Sequence, residues 1–164
     1  MSTTPRIEMK QFGHIAPPVF AALRTMGQAI ADSGLDKGLV ELVKIRASQI
    51  NGCAFCVQYH LNEAHKFAVP QAQLDQLAVW RDSPLFTERE AAALAWTEAL
   101  CRMPQAHVDA AVYAQLQGQF GETEIVFLTS AIGHINAWNR ICGPLLFTPP
   151  PAAAPLSAAA APQG

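Results

Sequence analysis

Cys53 and Cys56 form a C-x-x-C pair directly after Asn51-Gly52, and His60 follows four residues later. Two sulfurs at that spacing can pass between dithiol and disulfide. A nearby imidazole can take a thiol proton or return one to a leaving group. On a helix turning roughly 100° per residue, the three side chains fall within about 60° of arc. The Gly suits a tight turn, so the pair is expected on the first turn of a helix. There the unpaired N–H groups and the helix dipole favour anions and pull a thiol below its free pKa of about 8.5. Glu41 lies on the preceding helix. If the two helices fold back across Asn51-Gly52, its carboxylate can orient or polarise His60.

Other chemistries compete for the same residues. A haem-attachment motif needs His directly after the second Cys, and Val57 stands there. A thioredoxin-type site needs a strand leading into the pair, and none precedes Cys53. Zinc has three candidate ligands in Cys53, Cys56 and His60, with Cys101, Cys142 or His65 as a fourth. Structural zinc usually comes in two paired halves, though, and no second C-x-x-C or H-x-x-x-H exists. The plainest alternative is two small core residues and a buried histidine.

The elements that must position these groups read as helices. Pro17 and Pro18 open one that runs to about Asp32, ended by Gly34. Asp36 can cap a second, in which Leu39, Leu42, Val43, Ala47 and Ile50 recur every three or four residues before Asn51-Gly52 stops it. A third spans about 53–68, and Pro70 starts a short fourth to about Val79. Thr87 with Glu90 makes a T-x-x-E capping box ahead of the Ala-rich run 91–101. Residues 108–119 and 122–141 give two more, the last closed by Gly143-Pro144. No alternating strand pattern is present, so the expected class is all-α with six or seven helices. The expected domain is 1–147. A Pro/Ala-rich tail, 148–164, holds five of the chain's 12 prolines and no charge, and is expected to be mobile or extended.

Composition bounds the function. The 164 residues are 51% hydrophobic and 15% charged, enough apolar material for one core. Net charge is −2 and no basic run exceeds two residues, which argues against nucleic acid or an anionic membrane as partner. No apolar stretch reaches about 18 residues, and the polar first ten residues lack the apolar core of a secretory signal. A cytoplasmic setting is the default, where thiols stay mostly reduced. Cys101 and Cys142 read as plain core thiols, His134 as a core or interface histidine, and Trp80, Trp96 and Trp138 as packing anchors. Asn136, Asn139 and Arg140 either line the cysteine pocket or bond between helices. His14 and His107 carry no signal.

The pattern Glu41, C-x-x-C twelve residues on, then x-x-x-H resembles the core motif of the alkyl hydroperoxidase D (AhpD) / carboxymuconolactone decarboxylase superfamily. SQINGCAFCVQYH, the run from Phe86 to Glu90 with the following ALAWTEAL, and NAWNRI at 136–141 extend the likeness over roughly residues 15–145. The resemblance implies an all-α AhpD-like fold assembled as homotrimers or homohexamers. It also implies a thiol-dependent peroxidase with no metal, flavin or other cofactor. In that reading Cys56 is the thiolate that attacks a hydroperoxide. Cys53, nearer the entrance, resolves the sulfenic acid to a disulfide, and His60 and Glu41 relay protons. Electrons come from a dithiol partner, a thioredoxin-like or lipoyl-bearing protein. One departure stands out: the family's best-understood peroxidase has a second His between the cysteines, where this chain has Phe55; Tyr59 and His65 are the nearby candidates to compensate. A redox-sensing oligomer without turnover, and carboxymuconolactone decarboxylation, are the alternatives. The decarboxylase branch generally lacks the cysteine pair.

Overall fold

The computed structural model describes residues 4–103 and 105–153. Among these, every regular element is helical: α1 (Met9–Ile15), α2 (Pro17–Ala31), α3 (Lys37–Ile50), α4 (Ala54–Lys66), α5 (Gln71–Gln76), a 3₁₀ segment (Leu77–Asp82), α6 (Glu88–Cys101), α7 (Ala110–Gln117) and α8 (Glu122–Leu145). None is long and apolar enough to cross a membrane.

α3 is the centre. Leu39, Leu42, Val43, Ile45 and Ala47 are buried around its whole circumference, because α4, α6 and α8 all pack on it. A fully apolar cylinder would bury nothing chemical, and here Glu41 and Ser48 are buried as well. Asp36 caps the helix by accepting the Leu39 N–H at 2.7 Å. At the other end Gly52 takes a positive φ of 67°, and the chain doubles back into α4. That reversal lays the His60 face of α4 against the Glu41 face of α3.

Three corrections to the expected elements have local causes. α1 is an additional helix; it packs Met9 and Phe12 onto the cluster that contains both site cysteines. The helix expected from Pro70 to about Val79 instead passes from α to the tighter 3₁₀ winding after Gln76: Val79 leaves helical geometry (φ −119°), and the 3₁₀ segment buries Leu77 and Trp80. α8 runs through Gly143-Pro144 to Leu145. Pro144 sits in the final turn, and residues from the N-terminus take up the helix's free carbonyls. The N–H groups of Arg6 and Ile7 donate to Leu145 O, and the Arg6 guanidinium donates to Pro144 O.

Residues 148–153 run without helix or strand across α4. Thr148 Oγ1 donates to Glu8, Asn62 Nδ2 donates to Pro151 O, and the Ala153 N–H returns a bond to Asn62 Oδ1. The remainder of the expected tail, 154–164, lies outside the described residues.

Candidate active site

Cys53 is the N-cap of α4 rather than a residue of its first turn. Its sulfur accepts the Cys56 N–H at 3.2 Å, as a capping oxygen would. Cys56 lies within the first turn. The two sulfurs are joined as a disulfide, with Cα atoms 5.3 Å apart. Both residues are almost wholly buried, at 1% and 2% exposed, yet they open on different sides. Cys56 lines a cavity of about 280 Å³ together with His60. Cys53 lines a shallow groove with Ser48, Gln58 and Pro149.

His60 Nδ1 and Glu41 Oε2 are 2.6 Å apart, so the carboxylate on α3 fixes the imidazole on α4. Lys44, one turn along α3, donates to the other Glu41 oxygen at 2.7 Å. Burial pulls the Glu41 carboxyl up. The hydrogen bond and charge of His60 and the charge of Lys44 outweigh it, and the net pKa is below the usual 4.5. Glu41 is therefore an ionised, buried carboxylate held between two cationic or protonatable groups. His60 is the unit between that charge and the sulfur cavity.

The rest of the cavity comes from residues far apart in sequence. Phe20, Arg24 and Gly27 arrive on α2, Phe55 and Tyr59 on α4, and His134, Trp138 and Cys142 on α8. Tyr59 stacks on Phe55 and meets His60 edge-on. His134 brings a second imidazole to the cavity. Its Nε2 accepts from Trp138 Nε1 at 3.0 Å in one tautomer and donates to Leu23 O at 2.9 Å in the other. Burial holds its pKa below 6.5. His65 turns the other way, toward Gln71, and does not line the cavity. Nothing in the local spacing of Lys44, Arg24 and Phe20 marks them as site residues; only the packing of α2 on α8 and of α8 on α3 does.

The turn before the pair is pinned by a polar network. Asn51 Nδ2 donates to Asn136 Oδ1 and Asn139 Oδ1, both at 2.9 Å, and Asn139 Nδ2 donates to Ser48 Oγ. Asn136 and Asn139 therefore bond between α8 and the α3–α4 turn and do not line the cavity. Cys101 lies against the same network, beside Asn136, and burial raises its pKa. Cys142 is pushed up to about 12 by burial, so it stays a protonated thiol next to Cys56. Both are free cysteines. Among the described residues no three His, Cys, Asp or Glu side chains are arranged to hold a metal ion.

Comparison with known proteins agrees with this geometry. Residues 17–99 match the model of the carboxymuconolactone decarboxylase family. The uncharacterised protein YdfG of Bacillus subtilis is 32% identical over 127 residues, 77% of this chain and 86% of its own length. The crystal structure of ATU0492 from Agrobacterium tumefaciens, a protein of unknown function assigned to AhpD-type antioxidant defence, superposes with a TM-score of 0.85. It is 35% identical, and the match covers 90% of this chain and 99% of that one. The debrominase Bmp8 shares the fold at 20% identity and a TM-score of 0.76, over 84% of this chain and 74% of its own. With the family model spanning half the sequence and the cysteine pair at disulfide distance in an AhpD-like helical fold, this chain belongs to the carboxymuconolactone decarboxylase family.

Proposed function

We propose that the protein is a thiol-dependent peroxidase that reduces an organic hydroperoxide and is regenerated by a dithiol. The observation that carries this reading is the two-sided disulfide: Cys56 opens on a cavity that also holds the Glu41-backed His60, and Cys53 opens on a separate groove.

In the dithiol state the Cys56 thiolate attacks the terminal peroxide oxygen. The O–O bond breaks, Cys56 becomes a sulfenic acid, and the departing alkoxide takes a proton from His60, which Glu41 holds in position. Cys53 then attacks the Cys56 sulfur. Its thiolate is favoured by the Cys56 N–H and the helix start. The S–S bond forms, the S–O bond breaks, and the sulfenic oxygen leaves as water with the proton released when the Cys53 thiol ionised. To close the cycle, a thiolate of the external dithiol attacks Cys53 from its groove. Cys56 leaves as a thiolate, and the second external thiol displaces the mixed disulfide. The sum is hydroperoxide plus dithiol giving alcohol, water and disulfide, with no metal or flavin taking part.

A thioredoxin-like or lipoyl-bearing protein suits the reductant role, because the groove is open and flanked by polar Gln49 and Gln58. This cycle also goes with a cytoplasmic setting, where reduced dithiols are abundant. A homotrimer or homohexamer is part of the proposal. Ile15, Val19 and Met26 are 65%, 50% and 40% exposed at helical spacing on α1 and α2, a surface that assembly would cover. A sedimentation mass of one 17.6 kDa chain would contradict it.

The test is consumption of cumene hydroperoxide with dihydrolipoamide as electron donor. Turnover should vanish in Cys56→Ser. In Cys53→Ser it should stall after one equivalent, with a sulfenic acid at Cys56 that dimedone traps. Reversible disulfide formation without any peroxide consumption would leave only a redox-sensing role.

A further inference from the structure

The same cavity carries information about what enters it. Its walls are aromatic, with Phe20, Phe55, Tyr59 and Trp138, and its volume of about 280 Å³ suits a ligand of one ring or a short branched chain. Its charged lining is of one sign: Arg24 and Lys44 face the cavity and no carboxylate does. Lys44 is already paired with Glu41. Arg24 is different. Its guanidinium lies 5.9 Å over the Phe20 ring, and no acceptor pairs with it among the described residues. Every other arginine there donates to a protein oxygen: Arg6 to Pro144, Arg46, Arg81 and Arg102 to Glu98, Arg89 to Gln119 and Glu124, and Arg140 to Asn136. A planar, permanently charged fork left unpaired at the mouth of an aromatic cavity matches a carboxylate, which it can hold through two parallel bonds.

We propose that the cavity selects a small organic acid, so that its substrate is a carboxylate-bearing hydroperoxide with the acid group on Arg24 and the peroxide directed toward Cys56. The substrate part of this inference rests on the peroxidase reading; the anion site does not. Hydrogen peroxide gains nothing from the aromatic walls, and a neutral alkyl hydroperoxide leaves Arg24 unused. Gly27, one turn along α2 from Arg24, keeps the cavity open, since a Cβ there would meet His134 Cε1 at 3.1 Å.

The experiment has a binding arm and a turnover arm. In the first, the disulfide form of the protein is titrated with 4-isopropylbenzoate and with 4-isopropylbenzamide, followed by tryptophan fluorescence in a Trp80→Phe, Trp96→Phe background that leaves Trp138 as the reporter. The acid should bind at least tenfold tighter than the amide, and Arg24→Gln should erase the difference while Arg24→Lys keeps part of it. Equal binding of acid and amide, or a difference that Arg24→Gln leaves intact, overturns the proposal. In the second, kcat/KM is compared for cumene hydroperoxide and its 4-carboxy derivative. A tenfold preference for the acid is expected. Equal turnover of both overturns the substrate assignment and leaves the peroxidase reading standing. A binding difference with no turnover of either upholds the carboxylate site and overturns the peroxidase reading alone.

Discussion

Replacing Glu41 by Gln removes the charge behind His60 while keeping a side chain of the same shape and an acceptor for Nδ1. The carboxylate is 4% exposed and its two oxygens each hold one partner, His60 at 2.6 Å and Lys44 at 2.7 Å. A hydrogen bond to a charged group contributes about 1.5–3 kcal/mol, and each 1.4 kcal/mol is tenfold in rate, so the chemical step should slow about 10- to 150-fold. The assay is stopped-flow oxidation of the pre-reduced protein by saturating cumene hydroperoxide, read from the change in tryptophan fluorescence, to which Trp138 in the cavity contributes. Because the Glu41 pKa lies below 4.5 in the folded protein, its charge persists as pH falls to that value. Any carboxyl-type decline in the wild-type rate should therefore set in at lower pH than for an ordinary glutamate. Far-UV circular dichroism of E41Q should match wild type. An E41Q rate within threefold of wild type between pH 5 and 8 would refute the relay.

Glu98 predicts acid sensitivity of the fold. Burial raises its pKa, but bonds from Trp80, Arg81 and Arg46 outweigh that and bring it from 4.5 down to about 2. A depressed carboxyl stabilises the fold above its unfolded pKa and loses that contribution as pH falls from about 4.5 to about 2. The gap corresponds to about 3 kcal/mol. Glu98→Gln should thus lower Tm at pH 7 by about 6–12 °C, with the deficit shrinking below pH 4.5; a deficit independent of pH would contradict it. Asn139→Ala should cost about 1–3 kcal/mol in urea unfolding, since Asn51 and Ser48 each lose a buried partner. An unchanged urea midpoint would show that the network holds nothing. Because Cys142 is pushed up to about 12, an alkylating agent at pH 8 should leave it unmodified in the folded, reduced protein while modifying the C-x-x-C pair, as peptide mapping would show.

How much of this was legible beforehand follows from which contacts are local. Cys56 and His60 sit one turn apart on α4, so their spacing alone brings them to one cavity, whereas Cys53, as the N-cap, opens on the other side. Glu41 needed only the reversal that Asn51-Gly52 announces. The T-x-x-E box at Thr87 and Glu90 is likewise a local signal, and both of its bonds form. The cavity itself was not legible. His134 meets Leu23 across 111 residues, and Phe20, Arg24 and Trp138 come together only when α2 crosses α8. Reading His134 as a core histidine fits its bonds, but sequence spacing could not show that it also faces Cys56. α1 carries no local signal of its own, because Met9 and Phe12 find most of their apolar partners on distant residues, Trp138 and Phe147 among them. The end of α8 was misplaced because Pro144 breaks a helix interior, whereas here it occupies a last turn whose carbonyls the N-terminal segment satisfies.

The most direct test of the thiol chemistry is a thiol count with peptide mapping on the fully reduced protein before and after one equivalent of cumene hydroperoxide. The chain has four cysteines. With the thiols counted after denaturation, the account predicts that two disappear, that the mass falls by the two hydrogens lost, and that the new bond joins Cys53 to Cys56 while Cys101 and Cys142 remain free thiols. Four thiols surviving the peroxide, or a bond that includes Cys101 or Cys142, would contradict it.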